Sequence, residues 1–128
     1  MKYAFLFGAA LLMSSSAVAQ HKHGHEKGPN GGEMLEVAGV HAELVVSRTT
    51  LTINVMDETN KPVATGGYSG SALVVNGADR ETVDLVPHEQ NGLKGDAKKP
   101  IAPKATITIL LKTAAGKTGQ TKYVAHSD

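Results

Sequence analysis

The stretch Lys104-Ala105-Thr106-Ile107-Thr108-Ile109-Leu110-Leu111-Lys112 (KATITILLK) decides the class of fold. Ile107, Ile109 and Leu111 alternate with Thr106, Thr108 and Leu110. That period of two puts one apolar row on a single side of a β-strand. Working outward, the same period recurs. In Val40 to Val46, Val40, Ala42, Leu44 and Val46 share one face, while His41, Glu43 and Val45 share the other. In Thr50 to Met56, Leu51, Ile53 and Val55 point one way and Thr52 and Asn54 the other. Leu73 and Val75 pair up within Ser71 to Asn76, as do Val83 and Leu85 within Glu81 to Val86. Glu33 to Ala38 forms a weaker first strand and Gln120 to Ala125 a last one. A further short strand fits Gln90 to Gly95.

Turn chemistry separates these runs. Asp57 to Pro62, Gly66-Gly67, Asn76-Gly77, Asn91-Gly92 and Ala115-Gly116 all sit between strands, and Lys98 to Pro103 is a proline-stiffened loop. No stretch carries a helical stripe, and no internal repeat is visible. About seven short strands at this spacing predict an all-β fold, an antiparallel β-sandwich of immunoglobulin-like type.

The chain of 128 residues fits one domain. Its first residues read as a secretory signal peptide. Met1-Lys2 gives a positive start, Tyr3 to Met13 an apolar run, and Ala17-Val18-Ala19 a small-x-small cleavage site. The apolar run is shorter than the roughly 20 residues a spanning helix needs. The expected division is therefore a signal peptide over 1–19, a flexible His/Gly-rich arm over 20–32 and a sandwich domain over 33–128. Export to the periplasm follows, with no membrane insertion once the signal is removed.

Composition excludes several classes of function. Cysteine is absent, which rules out thiolate metal sites, thiol catalysis and structural disulfides. The formal net charge is +1, too little for a nucleic-acid footprint. Tryptophan is also absent and aromatic residues make up 4% of the chain, so stacking platforms for bases are poorly supplied. Enzyme templates fail as well. Gly116-Lys117-Thr118 resembles the end of a phosphate loop, but the glycine that motif requires would fall at Leu111. Neither G-x-S-x-G nor H-E-x-x-H occurs. The reading is of a protein that performs no catalysis.

What remains is metal chemistry. The arm reads His21-Lys22-His23-Gly24-His25-Glu26-Lys27, with three imidazoles in five positions. Neutral imidazole is the commonest protein metal ligand, and short His-rich tracts mark metal binding. Gly24 gives the backbone freedom to bring the three rings together. His41 and Glu43 are a second candidate pair, two apart on the same strand face and roughly 7 Å along it. An ordinary solvent-facing polar pair is the other reading of those two. His88 and His126 read as surface histidines. Only Met34 and Met56 follow the signal, so soft-ligand Cu(I) sites are poorly supplied. Imidazole with carboxylate suits divalent Cu, Zn, Ni or Co.

The segments His25 to Gly32 (HEKGPNGG) and Gly39 to Val45 (GVHAELV) carry a resemblance. They are similar to small periplasmic heavy-metal-binding proteins related to the N-terminal domain of periplasmic adaptor subunits in metal efflux systems of the resistance-nodulation-division type. Glu81 to Leu85 and Lys104 to Ile107 also look like strands of that family. The resemblance implies metal handling in a Gram-negative envelope, a metal-efflux adaptor or pump as partner, and a role for His41 and Glu43. The helical hairpin and barrel domains of an adaptor have no counterpart here. The expected ligands are His21, His23, His25, His41 and Glu43, and the expected cargo is a divalent transition-metal ion. The competing expectation is a β-sandwich interaction module of the cell envelope, marked by exposed Val45 and Leu110.

Overall fold

The structure, a computed structural model, describes residues 26–125. All of the regular structure is β. The strands are β1 (Glu33–Val37), β2 (Val40–Ser47), β3 (Thr50–Met56), β4 (Ser69–Asn76), β5 (Asp79–His88), β6 (Gly92–Asp96), β7 (Thr106–Lys112) and β8 (Thr118–Val124). Every pairing is antiparallel, in the order β1-β2-β3-β6-β5-β4-β7-β8. The expected short strand near Gln90 to Gly95 is present as β6.

Strands β2 to β8 have the connectivity of an immunoglobulin-like sandwich, with β2-β3-β6-β5 as one layer and β4-β7-β8 as the other. Here the two layers are joined. The first part of β5, up to Leu85, pairs with β4, and its end, from Val86, pairs with β6. Pro87 sits beyond the reach of β4, where its missing N–H leaves no ladder bond unmade. The result is one continuous sheet rolled so that β1 approaches β8, nearly a barrel.

The inward rows of β2, β3, β5 and β7 are those read from the alternation, whereas β4 buries Ala72 and Val74 rather than the Leu73 and Val75 row. Leu51, Ile53 and Val55 meet Val83, Leu85, Ile107, Ile109 and Leu111 in one core, all buried. Each such side chain contributes about 1.5–3 kcal/mol of transfer free energy. Tyr123 of β8 spans the interior, and its hydroxyl donates to the Ala42 carbonyl of β2 at 2.8 Å. Burial raises the phenol's pKa well above its ordinary value, with the carboxylates of Glu33 and Glu43 adding to the shift. The group is a neutral donor at any physiological pH.

Strands β1 and β2 form a tight hairpin through Ala38 and Gly39, both at positive φ. A two-residue turn of that kind matches the right-handed twist of its strands. It fixes the register that matters below, with Glu36 opposite His41 and Met34 opposite Glu43.

The stretch before β1 departs from expectation. The arm was expected to lack structure up to Gly32, but its second half belongs to the sandwich. Met34 N donates to the Glu26 carbonyl at 2.8 Å, Lys27 bridges Glu33, and Gly28 N donates to Gly32 O at 2.7 Å. Residues 26–34 thus form a small hairpin along the edge of β1. The signal peptide expected over 1–19 and the arm residues up to His25 lie outside the described residues.

Candidate functional site

Glu43 lies on the outward row of β2, as the alternation places it, yet it is fully buried. Its cover is the turn Gly28-Pro29-Asn30-Gly31-Gly32. Asn30 N donates to Glu43 Oε2 at 2.8 Å, Gly32 N to the same oxygen at 2.9 Å, and Asn30 Nδ2 to Oε1 at 2.8 Å. Asn54 Nδ2, from β3, is 3.4 Å from Oε1. A carboxylate offers about four lone-pair sites, and four N–H donors here converge on them. Gly28 passes so close that a Cβ there would overlap the Glu43 carboxyl. The motif that looked like a mobile lead-in is a lid fastened by Glu43.

His41, two residues earlier on the same face, has different company. Its ring is partly exposed, at 22% of the side chain, and Nε2 lies 3.2 Å from Oε1 of Glu36, its direct cross-strand neighbour. Nδ1 lies 3.3 Å from Asn60 Oδ1. Asn60 is held by its own turn. Asp57 Oδ1 accepts from Thr59 N, Thr59 Oγ1 and Lys61 N, and Asn60 N donates to Asp57 O at 2.9 Å. The Thr59 hydroxyl and then the Lys61 amide hold the Asp57 carboxyl below its ordinary pKa.

His41 and Glu43 are therefore not brought to a common point, since each is engaged by other groups. The carboxylate beside His41 is Glu36, which the weak alternation of β1 gave no reason to single out. The signal that would have found it is the hairpin register, which follows from the two-residue turn at Ala38-Gly39. His21, His23, His25 and His126 lie outside the described residues. His88 ends β5, 3.7 Å from Glu89 and remote in sequence pairing from β1 and β2. Among the described residues no group of three or more His, Cys, Asp or Glu is arranged to hold an ion. Of the two residues expected to mark an interaction patch, Leu110 of β7 is exposed and Val45 of β2 is half-buried, on strands of different layers.

Fold and site together define a rolled antiparallel sandwich whose first hairpin pairs an exposed carboxylate, Glu36 of β1, with a partly exposed imidazole, His41 of β2. The described chain begins at Glu26, whose carbonyl accepts from Met34 N of β1. No family model, no curated protein and no solved structure matches the chain.

Proposed function

We propose that this is a periplasmic protein that binds divalent transition-metal ions (Cu, Zn, Ni or Co) and buffers or delivers them in connection with metal efflux. One observation carries the reading. The segment with His21, His23 and His25 joins the sandwich at Glu26, whose carbonyl is bonded to Met34, two residues along β1 from Glu36. In the chain, the arm imidazoles thus precede a hairpin that presents a further imidazole and a carboxylate, the donor types these ions prefer. His41 is retained as a ligand. Glu43 fits the role poorly, because its oxygens already accept four N–H groups and metal binding would have to break them. No step of catalysis is assigned.

The test is calorimetric titration of mature protein, starting at Gln20, with Zn(II) and Cu(II). Micromolar or tighter binding is expected. Replacing His21, His23 and His25 together by alanine should weaken it at least a hundredfold, because a multidentate site loses most of its donors. Equal affinity in the triple variant would take the arm out of the function.

A further inference from the structure

The ring of His41 stands between two oxygen acceptors. Asn60 Oδ1 faces Nδ1 at 3.3 Å and Glu36 Oε1 faces Nε2 at 3.2 Å. A neutral imidazole carries a single N–H. When that hydrogen points to Asn60, the lone pair of Nε2 is directed at a carboxylate oxygen, and the pair is short of one cation. This tautomer, with Nδ1–H donated to a carbonyl oxygen, is the one that prepares Nε2 to bind a metal.

The spacing agrees. Zinc bonds to nitrogen and oxygen are both about 2.1 Å, so two such ligands are about 3.0 Å apart at a right angle and about 3.4 Å apart at a tetrahedral one. The observed 3.2 Å lies between these limits. Nor is the pairing an accident of two long side chains meeting in solvent. Glu36 and His41 are direct partners in the β1–β2 register, and such partners have Cβ atoms about 5 Å apart. Glu36 is 82% exposed, so the remaining coordination positions of an ion seated there are open to solvent.

We propose that Glu36 and His41 form an Nε2–Oε1 seat for a divalent transition-metal ion, with Asn60 as the residue that sets the His41 tautomer. This rests on the metal-binding function proposed above, and assigns its carboxylate to Glu36 in place of Glu43.

The experiment measures Zn(II) affinity of mature wild type, Glu36→Gln and His41→Ala, with Glu89→Gln as a distant carboxylate control. Nitrogen-15 NMR during Cu(II) addition supplies a second reading. Each site variant should lose at least about tenfold in affinity, as expected for groups in or next to a metal's coordination shell. The control should stay within about twofold, and all variants should keep the wild-type thermal midpoint. Signals of Glu36 and His41 should broaden at the first additions of Cu(II). Asn60→Ala should shift the His41 ring nitrogens away from a pure Nδ1–H pattern, a change that a purely structural role would not cause. If Glu36→Gln and His41→Ala bind as tightly as wild type while the triple arm variant does not, the seat is refuted and the metal-binding function stands. If wild type binds no ion at all, both fall.

Discussion

At the scale of single residues, Glu43 shows how a charge can be buried without a counter-ion. Four N–H groups from Asn30, Gly32 and Asn54 take the place of water around its oxygens. The arrangement tolerates only an acceptor. Glutamine has the same shape, but its NH2 must face at least one of these donors in either orientation of the amide. Glu43→Gln should therefore destabilise the fold by about 3 kcal/mol, the cost of buried donors left unmatched near a lost charge. Urea unfolding measures this, and an unchanged midpoint would show that the lid is not fastened there. The pattern of the sequence placed Glu43 on the correct face of β2 but could not show its burial. Alternation tells which side of a strand a residue occupies. It does not tell whether a turn more than ten residues upstream folds back over it. Glu36 was missed for a related reason, because Glu33-Met34-Leu35-Glu36 presents no clear apolar row until Leu35 and Val37 are seen against the core.

At the scale of elements, the eight strands were nearly all legible because alternation is written locally, although in β4, apolar from Ala72 to Val75, it did not tell which row faces the core. The Lys104 to Lys112 stretch became β7 with Ile107, Ile109 and Leu111 buried, and Leu110 exposed at 47%. The turns between strands hold more chemistry than their composition reveals. The Asp57 to Lys61 turn not only reverses the chain but also presents Asn60, at positive φ, to His41. Asp57 holds that turn in its ionised form, and its pKa lies below the ordinary 3.8. A carboxyl whose folded pKa is depressed stabilises the fold fully above its unfolded value, and that contribution disappears as pH falls through the folded one. Hydrogen-exchange protection of the Thr59 and Lys61 amides should thus persist at pH 4 and disappear only in stronger acid. Asp57→Ala should abolish it at every pH. Protection that survives in Asp57→Ala would mean that backbone bonds alone hold Asn60 in place.

At the scale of the whole molecule, the rolling of the sheet depends on features with no local signature. A sequence of alternating strands is compatible with two separate layers or with one sheet turning back on itself. The choice lies in β5, which pairs first with β4 and then with β6. Closure depends on how near β8 comes to the β1–β2 hairpin. There Gly119 has no room for a side chain, because a Cβ would overlap the backbone nitrogen of Ala38. Tyr123 then ties β8 to β2 through the interior. Gly119→Ala should push the two edges apart at a cost of about 1–3 kcal/mol, the usual range for overpacking. Denaturant midpoints together with the near-ultraviolet signal of Tyr123 report it. Wild-type stability in that variant would show that β1 and β8 are not in contact in solution.

The bond between Glu26 and Met34 also bears on stoichiometry. It leaves no slack between Glu26 and the sheet edge, and groups on short tethers meet neighbouring groups at effective concentrations in the millimolar range. On the proposed reading, His25 and its companions find the seat on their own chain far more often than one on another molecule. Capture becomes an intramolecular event, with one ion per chain. Diluting the protein should then leave ion uptake per chain unaffected, and ions should not cross-link copies at low protein concentration.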